Sequence, residues 1–315
     1  MKLIFGNGSN ILRLQRQAVV TIGNFDGVHL GHQHLLQLVI KKAQQHKLLA
    51  VVVIFEPQTN EFFSTTASRL SSLREKLVIM QSYAIDYVYC LRFNQDLANM
   101  AAEDFIEQII IKQFNTKLLI LGRDFRFGKN KQGDVDLLTT QLQDIAKILI
   151  APDKMLNQQR ISSTLVRQAL ITADFLRSTA LLGRKFSICS RVIKGAGNGT
   201  LWGIPTINLN LRRKNFPIRG VFCVQVRIID TNELVCGVAN FGTRPTVDGT
   251  QEQLEIHLFD FNGILYGKML EVVFLHKLRA EQKFIAVTSL IAQIRCDIQD
   301  AKNYFLNTNR VNINE

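Results

Sequence analysis

The chain has 315 residues, 47% of them hydrophobic and 20% charged, a balance that fits about two folded domains and argues against a disordered chain or a membrane protein. Its 38 basic and 26 acidic side chains leave a net charge of +12, which suits an anionic small substrate, a nucleic acid or simply a basic surface; the densest basic cluster, Arg212, Arg213 and Lys214, is too short for a nucleic-acid tail. Cys90, Cys189, Cys223, Cys236 and Cys296 form no CxxC pair, so neither a disulfide framework nor a zinc site is expected.

The start meets Gly6, Asn7 and Gly8 before any hydrophobic stretch develops, which argues against a signal peptide and for a cytoplasmic protein. A β-rich run at 18–23 is followed by Leu35, Leu36, Val39, Ile40 and Ala43 at helical spacing, so a strand feeds a helix. The apolar run 48–55 reads as a buried strand, being far short of the about 20 residues a membrane span needs. A helix at 73–83, a strand at 87–93, a helix at 102–114 and strands at 118–121 and 148–151 continue the alternation. This βαβα rhythm predicts an α/β domain with a parallel sheet covered by helices on both faces, binding ligands beyond the carboxyl ends of its strands. Ser162 and Ser163 are candidate caps for a helix at 165–171, and a second helix at 175–182 stops at Gly183. Beyond Gly183 the texture changes to short β-rich segments at 186–193, 221–229, 234–239, 254–259 and 270–274. They predict an antiparallel barrel or sandwich, followed by a helix over 281–305. The expected domains are 1–182 and 183–315.

The strand at 19–23 runs into Asn24-Phe25-Asp26-Gly27-Val28-His29-Leu30-Gly31-His32. A helix N-terminus offers free N–H groups and a positive dipole end, and glycines let an anion approach the backbone. His29 and His32, three apart, are expected to project from one face of the first helical turn and donate to phosphates as charge develops during in-line displacement.

This HxGH arrangement resembles the nucleotidylyltransferase superfamily. GNFDGVHLGHQ, IFEP at 54–57, GRDFRFGKNKQGD at 122–134 and ISSTLVRQAL at 161–170 resemble, in order, the adenylyltransferase module of bacterial bifunctional riboflavin kinase/FAD synthetases. The resemblance implies a Rossmann-like sheet in which FMN attacks the α-phosphate of ATP. Gly23, Asn24, Phe25, Asp26, Gly27, Gly31, Ser162, Ser163 and Thr164 would bind ATP, with His29, His32 and Arg167 catalytic. Asp124, Phe125 and Phe127 would contact the flavin, though two phenylalanines around an arginine also suit a core-plus-surface reading. Asp26 would orient the loop or a magnesium ion. Where the family carries His-Pro, this chain has Gln58-Thr59.

From Gly183 the chain resembles the riboflavin kinase module, through GRKF, GAGNGTLWGIPTINL, GVFCVQV, GVANFGTRPTVDG, LEIHLFDFNGILYGK and LRAEQKF in the family's order. This implies a β-barrel with a terminal helix. Gly195, Gly197 and Gly199 form a flexible loop able to fold over polyphosphate, and Thr206 and Asn208 put two oxygens on one face of a strand. Two such oxygens suit Mg2+, which binds ATP phosphates with few protein ligands. The resemblance makes Thr206 and Asn208 the magnesium and ATP ligands, Glu255 the general base and Arg279 a flavin neighbour. Period-two alternation alone would leave Glu255 and His257 on the exposed face of a strand whose Ile256 and Leu258 point inward. The chain departs from the family at Thr200, where an arginine is usual, and at Ser190, where a glycine is usual.

The expected function is ATP-dependent conversion of riboflavin to FMN and of FMN to FAD. The partners are then small molecules, with no nucleic acid or membrane and self-association at most weak. Two alternatives stand beside it. One is a monofunctional FMN adenylyltransferase with an impaired barrel; the other is a basic RNA-binding protein on a nucleotide-binding fold, disfavoured by scattered lysines and the lack of an aromatic-basic stacking motif.

Overall fold

Strongly apolar β-branched segments build the first half of the chain. A computed structural model describes residues 1–6, 13–64, 66–195, 197–211, 215–246 and 249–313; Asn7, Gly8 and the basic cluster at 212–214 lie outside them. Residues 1–67 and 71–163 group as one unit, and residues 68–70 and 164–315 as a second. Among the described residues, no helix is long and apolar enough to cross a membrane.

The first unit carries strands β1 (Lys2–Gly6), β2 (Ala18–Ile22), β3 (Leu49–Glu56), β4 (Tyr87–Arg92), β5 (Thr116–Leu121) and β6 (Lys147–Ile150). They form one sheet in the order β1-β4-β3-β2-β5-β6, with every pairing parallel. Parallel neighbours need crossovers. These contain α1 (Leu30–His46), α2 (Thr59–Phe63), α3 (Leu73–Gln81), α4 (Gln95–Asn99), α5 (Ala102–Asp104) and α6 (Val135–Leu142). Alternate residues serve opposite faces: Val19, Val52 and Ile54 pack with Leu36 and Val39 of α1, whereas Val20, Val51 and Val53 pack with Ile109 and Leu138. Burial on both faces explains why these strands are apolar throughout rather than alternating. Each fully buried Val, Leu or Ile contributes about 1.5–3 kcal/mol.

Four differences from the sequence reading have local causes. The edge strand β1 was not expected, because its five residues end at Gly6 and leave Leu3 and Phe5 exposed, so no core pattern marks them. The helix expected over 102–114 is one α-turn followed by a π-helical stretch, Phe105–Gln113. There the Phe114 amide bonds to the Ile109 carbonyl five residues back, and Thr116 Oγ1 donates to the Ile110 carbonyl at 2.6 Å. The short helices α2 and α4 are too brief for periodicity to reveal. A hairpin of β7 (Met155–Leu156) and β8 (Gln159–Arg160) also escaped notice.

α7 (Ser163–Ile171) begins at the last residue of the first unit and continues into the second. α8 (Phe175–Leu182) ends where Gly183 turns left-handed at φ 70°, as its position after the apolar stripe predicts. Then come β9 (Ser187–Ile193), a short helix α9 (Asn198–Leu201), and strands β10 (Ile207–Leu209), β11 (Gly220–Ile228), β12 (Leu234–Thr246), β13 (Gly249–Leu258) and β14 (Met269–Arg279). The six strands close an antiparallel barrel in the order β10-β13-β12-β11-β14-β9. Its inner side chains include Phe222, Phe241, Leu254, Ile256 and Phe274, all buried. The outer face of β11 and β12 carries Val221, Cys223 and Val238, packed on Ala301, Ile298 and Tyr304 of the terminal helix α10 (Val287–Ile313). That helix starts later than the expected 281; Glu281, Gln282 and Phe284 ahead of it line a cavity. All five cysteines are free, and burial pushes the Cys223 thiol up to about 12.

Candidate active sites

In the first unit, β2 lies between β3 and β5, so the chain leaving β2 emerges where the strand order reverses. Open α/β sheets bind ligands at this switch point. The loop there is tightly wound: Phe25, Gly27 and Val28 all have positive φ, at 48°, 79° and 41°. For a β-branched residue such as Val28 this is a true outlier, sustained only where the surroundings over-determine it. Several bonds do so. The buried Asp26 carboxylate accepts from Gln58 Nε2 at 3.0 Å and from the Ser71 amide at 3.1 Å. The Gly27 amide donates to Ser71 Oγ at 2.8 Å, and Ser163 Oγ donates to the Asp26 carbonyl at 2.9 Å. Asn24 Nδ2 donates to Thr59 Oγ1 at 2.9 Å, while the fully buried Lys76 donates Nζ–H to the Asn24 carbonyl at 2.6 Å. Asp26 is thus tied to Gln58 and Ser71, on either side of the loop. Gln58 and Thr59, which depart from the family's pair, hold the same loop.

His29 is the N-cap of α1 rather than a residue of its first turn. The two histidines lie on one face, their rings stacked with centroids 3.7 Å apart and planes 15° from parallel. His29 Nδ1 accepts from the His32 amide at 3.3 Å, which leaves Nε2 as the protonated nitrogen of a neutral ring. His32 Nδ1 is buried without a hydrogen-bond partner among the described residues. Burial, and after it the charges of His29 and Lys76, hold the His32 imidazole well below its usual value. The pair is thus suited to act at neutral pH through N–H donors beside the free amides of the helix start. Gly23 continues the edge of β2 by donating to the Val53 carbonyl at 3.0 Å. A side chain at Gly31 would crowd the His29 ring at 3.1 Å.

The 122–134 segment is divided. Phe127 is 7% exposed and belongs to the core; its amide and carbonyl pair with Gly133, and its ring lies 5.4 Å from Phe105. Phe125 stacks on it at 5.5 Å and is half-buried. Asp124 pairs with Arg160, which also reaches Asp153 at 2.9 Å. Of the second motif, Ser162 is half-buried, Thr164 is exposed, and Arg167 Nε donates to the Ser68 carbonyl at 2.8 Å. Ser71 and Lys76 were not anticipated; both sit in α3 or just before it, where only an ordinary capped helix is visible in sequence.

The barrel places its chemistry on the outer face. Leu254, Ile256 and Leu258 point inward and are buried, which turns Gln253, Glu255 and His257 outward, into a cavity of about 350 Å³. The cavity is lined by Gly197, Gly199, Thr206, Asn208, Glu255 and Arg279, all singled out above, together with Trp202, Gln253, Asp297 and others. Asn208 faces Glu255 across the β10–β13 pair. Gly195 and Gly199 are fixed by close approach: a Cβ at Gly195 would strike the Asn208 amide, and one at Gly199 the Ile204 carbonyl and Thr206 Oγ1. The expected flexible loop is thus partly ordered, since 198–201 form α9 and only Gly197 in this run is left-handed, with φ 80°. Arg279 forms two bonds to Asp297 of α10, Nε–Oδ1 at 2.8 Å and Nη2–Oδ2 at 2.7 Å. Its guanidinium also lies 6.0 Å from the Phe284 ring centre. Ser190 Oγ donates to the Asn210 carbonyl at 2.5 Å, and Thr200 is exposed. Gln253, Asp297 and Trp202 were missed: nothing but strand or helix patterning surrounds the first two, and Trp202 stands inside the 195–209 motif, where the glycines, Thr206 and Asn208 carried the reading.

A parallel sheet with an anion-ready switch-point loop, joined in one chain to a barrel with an oxygen-lined cavity, marks a two-part transferase. The FAD synthetase family matches residues 12–165 and the riboflavin kinase family residues 182–305. The chain is 40% identical over 308 residues to a bifunctional riboflavin kinase/FMN adenylyltransferase of Haemophilus influenzae, covering 97% of this chain and 99% of the relative. It is 41% identical to the protein of that name in Escherichia coli strain K12, covering 97% and 98%. The chain belongs to the family of bifunctional riboflavin kinase/FMN adenylyltransferases, and both halves of that family are present. A solved structure described as a macrolide-efflux protein from Streptococcus pneumoniae matches with a TM-score of 0.79 and 27% identity, covering 96% of this chain and 99% of that one. It shares the two-part architecture despite its description.

Proposed function

We propose that residues 183–315 transfer the γ-phosphoryl group of ATP to the ribityl 5′-hydroxyl of riboflavin, releasing ADP, and that residues 1–182 join the FMN phosphate to the α-phosphorus of ATP, releasing pyrophosphate. The observation that carries the reading is one barrel cavity gathering Gly197, Gly199, Thr206, Asn208, Glu255 and Arg279, residues drawn from three separate sequence motifs. Glu255 accepts the hydroxyl proton as the nucleophile attacks. Gly195, Gly197 and Gly199 let the backbone approach the polyphosphate. Arg279, oriented by Asp297, borders the flavin. The donor set fits Mg2+: Thr206 and Asn208 present hard oxygens, and magnesium takes few protein ligands beside phosphates and water. When bound there, it would neutralise phosphate charge.

In the sheet domain the FMN phosphate is itself the nucleophile, so the protein needs only to place and stabilise. His29, His32 and the amides of the 23–31 loop serve the ATP phosphates. Ser162, Ser163, Thr164 and Arg167 add hydroxyl and guanidinium contacts, as the family motif implies. Asp124 and Phe125 are assigned to the flavin; Phe127 acts behind them, as the core residue on which Phe125 rests. On this reading both halves act on riboflavin, FMN and ATP, with no nucleic acid or membrane taking part, self-association at most weak, and the cytoplasm as the site of both reactions.

The test is a time course with purified protein, riboflavin, ATP and Mg2+, separating the products. FMN should accumulate first and FAD after it. FAD made from supplied FMN, with no FMN made from riboflavin, would establish the monofunctional alternative instead.

A further inference from the structure

On β13, period-two alternation puts Gln253 and Glu255 on the cavity face. On the neighbouring strand Asn208 stands directly opposite Glu255, so Gln253 is its diagonal partner, within reach of a long side chain. The Gln253 amide uses that position fully. Its Nε2 donates to Asn208 Oδ1 at 2.5 Å and to Glu255 Oε1 at 2.9 Å, which are the two protons an amide nitrogen has. Asn208 Nδ2 occupies the space that a Cβ at Gly195 would need, so the glycine makes room for the amide in the orientation that turns Oδ1 to Gln253.

We propose that Gln253 is a positioning residue for phosphoryl transfer, tying the Asn208 oxygen and the Glu255 carboxylate together at one fixed separation. The inference rests on the reading of the barrel cavity as the kinase site. The shared donor takes one lone pair of Asn208 Oδ1 and holds Glu255 Oε1 at the same nitrogen, so the residue assigned to the cation and the residue assigned to the hydroxyl proton keep one separation. The strand itself does not need Gln253: the packing of β13 is carried by the buried Leu254, Ile256 and Leu258 on the opposite face.

The experiment compares Gln253→Met, which keeps the length of the side chain but removes both donors, with wild type. The expected result is a fall in kcat for riboflavin phosphorylation on the order of 10- to 100-fold, the scale set by displaced catalytic groups, with KM for riboflavin little changed. Mg2+-dependent binding of ADP, measured by calorimetry without turnover, should weaken. FAD formation from supplied FMN should persist, showing that the chain is folded. If Gln253→Met does not fold, Gln253→Glu retains the shape and is measured in the same way. A folded variant with unchanged kcat and ADP binding would overturn the proposal, and so would equal loss of both activities, which marks a purely structural role. Glu255→Gln, run in parallel, separates the two levels: if it keeps full phosphorylation, the kinase-site reading itself fails and the inference falls with it.

Discussion

On the proposed reading, the loop at the sheet's switch point and the outer wall of the barrel would handle the same kind of ligand by opposite means. The loop works through backbone: left-handed residues at Phe25, Gly27 and Val28, a helix start, and an N-cap histidine whose Nδ1 is occupied by the next turn. The barrel works through side chains presented at every second position of β13 and across from it on β10. Backbone sites need an outer network to hold strain, hence the buried Asp26 and Lys76. Strand sites inherit their rigidity from the ladder and need only local ties such as Gln253. The loop should therefore fail when its supports are removed, and the barrel when its donors are.

The sharpest break is Glu255→Gln, which should lower riboflavin phosphorylation by about 10²- to 10⁴-fold, the usual contribution of a general base; FAD formation from supplied FMN should survive. Next, His32→Ala should cost about 10²- to 10³-fold in FAD formation, as for loss of a donor at developing charge, and spare phosphorylation. If either change removed both activities from a folded protein, the two regions would not be separate catalysts.

Gly199→Ala tests close approach in the barrel. The added methyl meets the Ile204 carbonyl and Thr206 Oγ1, an overpacking cost of about 1–3 kcal/mol, read as a raised KM for ATP in the kinase assay and a lowered melting temperature. Lys76→Met tests the loop's support. Loss of the bond to the Asn24 carbonyl should cost about 1–3 kcal/mol through the orphaned carbonyl. Removing a cation that disfavours the His32 imidazolium should also move the acid limb of FAD formation to higher pH. A pH–rate profile unmoved by Lys76→Met would separate the lysine from the histidine pair.

The smallest effect is on stability. His32 has a lowered value in the folded state, so below the ordinary 6.5 the unfolded chain binds a proton that the folded chain refuses. Stability is therefore complete above that pH and is lost as pH falls from it toward the folded value, at about 1.4 kcal/mol per unit of separation. Denaturant melts at neutral and mildly acid pH should show this, and His32→Gln should remove it.

The strand–helix alternation and the barrel were readable because their apolar residues repeat at the right period: Val19, Val52 and Ile54 serve one face and Val20, Val51 and Val53 the other. β1 was not, since an edge strand with exposed Leu3 and Phe5 leaves no such trace. At the sites, Glu255 shows why residue patterning was insufficient. It does lie on the outward face of a strand, as alternation requires, and that face is also a cavity wall; the two readings describe one arrangement. Gln253, Ser71 and Lys76 act through partners 45, 45 and 52 positions away, a separation that only folding brings together. Phe127 was assigned to the flavin through the family resemblance, beside a core-plus-surface reading of the two phenylalanines; its ring lies in the core.

α10 has one face in the barrel's packing, through Ala301 and Tyr304, and one in the cavity wall, through Leu290, Ile294 and Asp297. Whatever fills the cavity thus leans on the same rod that closes the fold. Saturation with nucleotide and flavin should be felt as thermal protection of the whole barrel, about 2.7 kcal/mol at a hundred times the dissociation constant. The melting temperature then becomes a gauge of occupancy that needs no catalysis at all.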